Sequence, residues 1–279
     1  MKFKKEDLHE SGRPLSKKEF INKIKTDDEF AKKWGELGPI YGAQWRNWNG
    51  KKTDGFIEYE ANGYNENIKG IDQIQNSINL LKTYPDSRRN RVDAWNVCEV
   101  KNQVVPPCHT DFQFYTRGFS KDERMDYWFK NNKPNRHVHD SVYELTEKEQ
   151  HKYFDDTNVP KRAISLMFNM RSNDIPLGLP FNIASYGLLL EIFGKMVNMV
   201  PNELIANLGD AHIYKNQIDG VKEQLTREPY ALPKLKHLKT DDFYKNLSDD
   251  LSLISHLDNT DFELVNYQSH PKIKMPLSN

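Results

Sequence analysis

The residue with the clearest chemical potential in this sequence is Cys108, which stands next to His109. The preceding pair Pro106-Pro107 restricts the backbone there, because each proline ring locks its φ angle. A cysteine attacks carbon as a thiolate, which positive neighbours stabilise, and several arginines elsewhere in the chain could converge on this sulfur. Cys108 is therefore a candidate nucleophile. The alternative is a small buried apolar side chain, with His109 hydrogen-bonded within its strand.

Two further pairs, Arg88-Arg89 and Arg171-Ser172, could bind a phosphate monoester. Guanidinium forks and a hydroxyl group match the oxygens of such an anion. Adjacent side chains of an extended strand point in opposite directions, so Arg88 and Arg89 could serve one ligand only from a turn. The alternative for each pair is a solvated basic turn.

Three residues later in the chain could recognise a nucleoside. Asn182 can accept a proton from a ring N–H and donate one to a neighbouring carbonyl, which fits uracil, whereas cytosine would favour a carboxylate. His212 and Tyr214 would point to one face of an extended chain and could bind sugar hydroxyls. The alternatives are a helix cap for Asn182 and packed polar aromatics for the other two.

A second ligand could bind beside Asp174, which stands close in sequence to Gly178 and Phe181. The carboxylate would accept N–H donors, and the ring would contact an aromatic face. The alternative for Asp174 is a helix cap.

Composition limits the classes of protein to which the chain can belong. Its 279 residues can bury a sizeable core, and 40 basic residues balance 40 acidic ones, so no global field favours nucleic acid or a membrane. The charged N-terminus lacks the apolar run of a secretory signal. Cys98 and Cys108 form neither a disulfide framework nor a common zinc pattern, and His137 and His139 lack metal-binding partners. We expect a reducing, cytoplasmic location and no metal.

The elements that must position these residues alternate irregularly between helices and strands. Capping boxes at Ser16 and Thr26 each predict a short helix, and period-two alternation over 164–170 predicts a strand that ends at Arg171. Further strands are predicted over 92–97, 108–114, 203–209 and 262–265, and further helices over 71–84, 183–200 and 218–225. Because the spacing is irregular and no Gly-rich phosphate loop is present, we predict an α+β fold.

One domain is expected over residues 1–279, with a loose N-terminal arm over 1–25 and insertions over 49–70 and 116–161. The first insertion is rich in Gly, Asn and Lys. The second is strongly charged and lacks sustained periodicity.

Seven motifs, taken together and in this order, resemble those of the thymidylate synthase family. They are Gly38-Pro39-Ile40-Tyr41-Gly42-Ala43-Gln44-Trp45-Arg46, Asp86-Ser87-Arg88-Arg89, Ala94-Trp95-Asn96, Pro106-Pro107-Cys108-His109, Leu177 to Tyr186, Gly209-Asp210-Ala211-His212-Ile213-Tyr214 and His270-Pro271-Lys272-Ile273-Lys274. The match runs from about Thr26 to the C-terminus, apart from the insertions. The resemblance implies a large twisted mixed sheet packed by helices, and an obligate homodimer formed through that sheet.

The resemblance also implies reductive methylation of deoxyuridine monophosphate, with 5,10-methylenetetrahydrofolate as co-substrate. Cys108 would add to uracil C6. The other catalytic residues would be His109, Tyr41 in the proton-relay network, Arg171 and Asp174. The nucleotide would be bound by Arg171, Ser172, Asn182, His212 and Tyr214, with Arg88 and Arg89 arriving from the partner subunit. The folate would contact Asp174, Gly178 and Phe181.

Three departures from the family pattern leave alternatives open. The family's N-terminal segment has no counterpart ahead of the matched region, so a separate N-terminal polypeptide is one expected partner. Asn169-Met170 stands where the synthases usually have tyrosine-glutamine, and it resembles the nucleotide hydroxymethylases of the same superfamily. The insertion over 116–161 stands where a short hairpin is expected. The alternatives are a deoxyuridylate hydroxymethylase and a non-catalytic homologue that binds nucleotide or RNA.

Overall fold

The computed structural model describes residues 15–35, 37–49, 70–134 and 136–277. They form a mixture of helices and sheet, which confirms the predicted α+β class. The chain divides into two compact units. The single domain stays a prediction. The first unit comprises Met1–Asp72 and Asp93–Pro107, and the second comprises Gln73–Val92 and Cys108–Asn279.

The first unit contains three short helices: α1 (Lys17–Thr26), α2 (Asp28–Trp34) and α3 (Tyr41–Arg46). The predicted capping box at Ser16 is confirmed, because its side chain accepts from Glu19 N and its own N–H donates to the Glu19 carboxylate. Residues 17–25 of the predicted loose arm are therefore helical. The second predicted cap is wrong by one residue. Thr26 ends α1, and the extended Asp27 caps α2 by accepting from Phe30 N at 2.9 Å.

The second unit is built on a four-stranded mixed sheet. The strands, in the order in which they pair, are β1 (Arg91–Asp93), β2 (His109–Gly118), β3 (Arg162–Asp174) and β4 (Val200–His212). Strands β2 and β3 are antiparallel, and β3 and β4 are parallel. The strand predicted over 92–97 is shorter than expected. Asn96 accepts from Cys98 N at 3.1 Å, and this local turn competes with an extended chain.

Helix α8 (Gly178–Met196) packs against one face of this sheet. It begins five residues before the predicted start at Ile183, because the Asp174 carboxylate accepts from Leu177 N and closes the turn that leads into the helix. Phe193 stacks on Phe114 of β2 with ring centroids 4.5 Å apart. A Cβ atom at Gly194 would lie 2.8 Å from the Met199 carbonyl oxygen. The backbone that follows α8 can therefore lie this close to the helix only because residue 194 is a glycine.

The second unit also contains three other helices and a small second sheet. They are α4 (Gln73–Thr83), α9 (Ile218–Leu225), α10 (Asp241–Asp249) and a two-stranded antiparallel sheet of β5 (Lys234–His237) and β6 (Phe262–Val265). The predicted bounds of α9 and β6 are confirmed. No helix in the described ranges is long and apolar enough to span a membrane.

Residues between β2 and β3 fold into three helices: α5 (Lys121–Asn132), α6 (Arg136–Tyr143) and α7 (Glu147–Asp156). Capping boxes at Ser120 and Thr146 begin α5 and α7. The helices enclose a hydrophobic cluster of Met125, Trp128, Val142, Phe154 and Val159. The predicted start at residue 116 is too early, because β2 continues to Gly118. Of the other predicted insertion, residues 50–69 lie outside the described residues.

Candidate active site

The nucleophile candidate Cys108 lies directly beside Arg171, which belongs to the neighbouring strand β3. The backbone N–H of Arg171 donates to the Cys108 carbonyl at 2.9 Å. The Arg171 guanidinium Nη2 lies 3.9 Å from the Cys108 sulfur. Arg171 therefore provides the positive neighbour that a cysteine nucleophile requires.

An irregularity in β2 determines which way His109 faces. By strict alternation His109 and Phe112 would lie on opposite faces of the sheet. The pairing with β3 shifts between His109 and Asp111, and such a bulge re-aims the side chain that it adjoins. As a result, both the His109 and the Phe112 rings contact Tyr186 of α8, at centroid distances of 5.3 and 5.8 Å.

His109 is held at both ring nitrogens. Its Nε2 lies 2.9 Å from Asn182 Nδ2, and its Nδ1 lies 3.1 Å from the Tyr186 hydroxyl. Burial lowers the pKa of His109 below its ordinary value of 6.5, which favours the neutral imidazole. Because an amide nitrogen can only donate, Nε2 must accept, and Nδ1 carries the proton towards Tyr186.

Asn182 lies in the second turn of α8, in contact with two strands of the sheet. Its Nδ2 donates to His109 of β2, and its Oδ1 accepts from Asn173 Nδ2 of β3 at 3.1 Å. The helix-cap alternative does not describe this residue, because its side chain bonds to neighbouring strands instead of its own helix. Asn173 is a site residue that the sequence analysis missed. Its only sequence signal was its place between Ser172 and Asp174.

Asp174 both closes the turn into α8 and accepts from a buried glutamine. Its Oδ1 accepts from Leu177 N at 3.2 Å, and its Oδ2 accepts from Gln217 Nε2 at 3.1 Å. Gln217 also donates to the Pro276 carbonyl at 3.3 Å, which ties the C-terminal segment to the same place. Gln217 was not predicted from the sequence as a site residue. A carboxylate has about four lone-pair sites, so Asp174 can still accept from a ligand.

Gly178 and Phe181 lie on the first turn of α8, as the ligand hypothesis requires. A Cβ atom at Gly178 would lie 3.6 Å from both Asp174 Cβ and Asn182 Oδ1. Gly178 therefore lies between the side chains of Asp174 and Asn182, the two proposed binding residues. The Phe181 ring is 74% exposed, although it is a large apolar group. Such a ring can stack on an aromatic ligand.

His212 and Tyr214, at the end of β4 and just after it, lie together as predicted. Their rings meet edge to face with centroids 4.9 Å apart. His212 Nδ1 lies 3.1 Å from the Asp210 carbonyl. The His212 carbonyl accepts from Ile175 N at 3.0 Å, so this strand end is anchored to the segment that follows Asp174.

The other predicted site residues lie in three different places. Ser172 is half-buried and pairs with Asp210 across the sheet. Arg88 and Arg89 are exposed in a turn, where adjacent side chains need not point in opposite directions as they do in an extended strand. Tyr41 begins α3 in the first unit, where its ring lies 6.2 Å from that of Trp45. In the ranges that the structure covers, no group of three His, Cys, Asp or Glu side chains could hold a metal.

Comparison with known proteins assigns the chain to a family. A family model described as thymidylate synthase matches residues 12–279. The thymidylate synthase of Malacoplasma penetrans is 38% identical over 256 residues, which cover 92% of this chain and 64% of that protein. That of Mycoplasma mobile is 36% identical over 259 residues, with the same coverage of 92% and 64%. That of Saccharomyces cerevisiae is 37% identical over 261 residues, which cover 94% of this chain and 68% of that protein.

The chain therefore spans just under two thirds of the length of the first two relatives, at 64%. The family match includes residues of both compact units. It also includes the adjacent Cys108 and Arg171, the His109–Asn182 pair and the Asp174 turn. The chain belongs to the thymidylate synthase family.

Proposed function

We propose that the chain catalyses the reductive methylation of deoxyuridine monophosphate to thymidylate, with 5,10-methylenetetrahydrofolate as co-substrate. The observation that carries this proposal is the placement of the Cys108 sulfur 3.9 Å from the Arg171 guanidinium, in the same unit as the His109–Asn182 pair. Membership of the family supports the reaction class.

Cys108 starts the reaction by adding to uracil C6. The sulfur forms a bond to C6, and the electron pair of the C5–C6 double bond moves to C5 and the C4 carbonyl, which makes C5 a carbon nucleophile. His109 and Asn182 would assist this addition as a hydrogen-bonded pair. Tyr41 is assigned to the proton-relay network. When the C5 proton has been lost and the product is complete, the S–C6 bond breaks and regenerates the thiolate.

The folate supplies both the carbon atom and the hydride that reduces it, and leaves as dihydrofolate. The residues present fit such a ligand. Asp174 retains lone pairs for N–H donors, and the exposed Phe181 ring offers an apolar face beside Gly178. Arg171 would stabilise the Cys108 thiolate, whereas Asp174 would bind the folate.

The nucleotide would be held at three places. Its phosphate would contact Arg171 and Ser172, and its ribose hydroxyl would contact His212 and Tyr214. Asn182 would read the uracil edge. In this proposal Arg88 of the partner subunit and Arg89 of the partner subunit complete the phosphate site, which the exposed turn that carries them would permit.

A homodimer is part of the proposal because one face of the sheet lacks a covering element in the described residues. Helix α8 covers one face, whereas Tyr115 and Ile205 point from the other and are 66% and 44% exposed. Exposed large apolar side chains on an uncovered sheet face commonly belong to a protein interface. We place the protein in the cytoplasm, because two cysteines are too few to form the disulfide framework of a secreted protein.

A second candidate product is 5-hydroxymethyldeoxyuridylate, which Asn169-Met170 favours. Asn169 donates to Asp111 at 2.7 Å and accepts from Asn207 Nδ2 at 3.0 Å, so the position is strongly polar. Polar groups here could retain water near the reacting carbon.

The purified chain, incubated with deoxyuridine monophosphate and methylenetetrahydrofolate, tests the proposal. Mass spectrometry of the nucleotide distinguishes a methyl from a hydroxymethyl product, which differ by one oxygen atom. Cys108→Ser should lower turnover by about 1,000-fold or more, whereas the same exchange at exposed Cys98 should not change it. Equal loss in both variants would contradict the role of Cys108. Absence of product would exclude catalysis by the isolated chain and direct the assay to mixtures with a second polypeptide.

A further inference from the structure

The buried side-chain amide of Asn173 has hydrogen-bond partners at its nitrogen but, among the described residues, none at its oxygen. Its side chain is 2% exposed. Nδ2 lies 3.1 Å from the Met170 sulfur and 3.1 Å from Asn182 Oδ1. Its Oδ1 has no hydrogen-bond partner among the residues that the structure describes. A buried carbonyl without a partner is costly, so the neighbours of Asn173 must impose this orientation.

Met170 determines which end of the Asn173 amide faces it. A thioether sulfur only accepts hydrogen bonds, so it favours Nδ2. If the amide were reversed, its oxygen would face both the Met170 sulfur and Asn182 Oδ1, which are acceptors. The observed orientation avoids these two contacts between acceptors.

The orientation of Asn173 in turn fixes that of Asn182. Because Asn182 Oδ1 accepts from Asn173, its Nδ2 is directed at His109 Nε2, 2.9 Å away. One hydrogen on Nδ2 and one lone pair on Oδ1 then remain for a ligand. These match the O4 acceptor and N3–H donor of uracil. Cytosine presents an amino group and an unprotonated N3 at the same positions, so both contacts would be mismatched.

A reversed Asn182 amide would present the opposite pattern, which suits cytosine. We propose that Met170 and Asn173 act as positioning residues that hold the Asn182 amide in its uracil-reading orientation and so set the base preference of the site. This inference rests on the proposed function, because it identifies the ligand as a pyrimidine nucleotide. Neither positioning residue needs to touch that nucleotide.

The test compares the binding of two nucleotides to the 279-residue chain. Calorimetric titration gives the affinities for deoxyuridine monophosphate and deoxycytidine monophosphate, and their ratio is the readout. Asn173→Ala should reduce the preference for deoxyuridine monophosphate by about 10-fold or more, because Asn182 can then adopt both orientations. Asn90→Ala is the matched control, since Asn90 is 3% exposed and its amide bonds to Ser77, away from the site. It should leave the ratio unchanged.

Two additions keep the test decisive if Asn173→Ala folds poorly or if nucleotides do not bind. Met170→Leu preserves side-chain volume but removes the acceptor, and it should lower the preference in the same direction. The ¹⁵N shifts of the His109 ring, measured without nucleotide, should show one tautomer in the wild type and a mixture in Asn173→Ala.

Each outcome supports or overturns a distinct statement. An unchanged nucleotide ratio together with an unchanged His109 tautomer would overturn the positioning role while leaving the proposed function intact. A loss of affinity for both nucleotides in equal proportion would indicate a purely structural role and would also overturn it. If the wild type bound neither nucleotide, the proposed function would fail, and the His109 tautomer alone would decide whether Asn173 orients the amide.

Discussion

At the scale of single residues, the site depends on hydrogen bonds with a defined direction. His109 is neutral because it is buried, and its two nitrogens have different roles because Asn182 can only donate to one of them. The ring therefore carries its proton on Nδ1, towards Tyr186. A protonated ring would lose its acceptor and repel the Asn182 amide nitrogen.

The lowered pKa of His109 makes a prediction about stability and pH. The unfolded chain binds a proton at this residue near the ordinary value of 6.5, whereas the folded chain does so only at lower pH. The stabilising contribution of the neutral ring is therefore complete above pH 6.5 and is lost as the pH falls towards the lowered pKa. The free energy of unfolding, measured by urea denaturation from about pH 8 to about pH 5, should fall less steeply in His109→Gln than in the wild type. Equal slopes would show that His109 has the same proton affinity in both states.

At the scale of elements, α8 links the core to the site. Its first turns carry Gly178, Phe181 and Asn182, and its later turns carry Phe193 and Gly194, which pack against the sheet and the segment that follows. Any shift of this helix would therefore move Asn182 relative to His109. The close approach at Gly194 limits such a shift.

Two glycines of α8 provide a matched pair for testing that approach. Gly194→Ala would place a Cβ atom 2.8 Å from the Met199 carbonyl and should destabilise the fold by about 1–3 kcal/mol. At Gly187 the nearest atom would be Leu204 Cδ2 at 3.9 Å, so Gly187→Ala should stabilise the helix by up to about 1 kcal/mol. Thermal unfolding measures both. A similar decrease in stability in the two variants would show that the close contact at Gly194 is not the cause of the destabilisation.

The sequence predicted elements best where a single periodicity determined them. The alternating strand over 164–170 and the helix over 218–225 are confirmed, but the predicted end of the strand at Arg171 is wrong, because its pairing with β4 continues to Asp174. Predictions failed where a side chain competed with the pattern, as Asp27 did at the start of α2 and Asn96 did after β1. The three helices between β2 and β3 were missed because each is short and their apolar contacts come from different helices.

For the candidate site, the sequence predicted residues that could touch ligands but did not predict Asn173 and Gln217, which hydrogen-bond to two of them. Cys108 and Asn182 stand in recognisable motifs, and Asp174 is a carboxylate three residues before one of them. Asn173 and Gln217 stand in no such motif, because their importance arises from contacts made only after folding. The bulge that turns His109 towards Tyr186 is likewise a property of the pairing between two strands, and alternation alone would have placed His109 on the other face.

At the scale of the whole molecule, the proposed dimer should depend on the uncovered sheet face. Ile205→Lys would place a charge there and should shift the wild-type dimer towards monomer in analytical ultracentrifugation. Ile254→Lys is the control, because Ile254 is about as exposed, at 41%, but lies outside the sheet. If the phosphate site needs the partner's arginines, turnover should fall with the dimer. A monomeric wild type, or equal effects of the two variants, would contradict the proposed interface.

The three helices between β2 and β3 leave and rejoin the sheet at one point. Gly118 pairs with Arg162, and Phe119 N donates to the Lys161 carbonyl at 2.8 Å. This junction is about 30 Å along β2 from Cys108, at roughly 3.4 Å per residue. Since the two strands already meet there, the segment between them is free to lengthen, shorten or be exchanged over evolutionary time without disturbing Cys108. The same junction is a natural attachment point for grafting a foreign domain onto this fold.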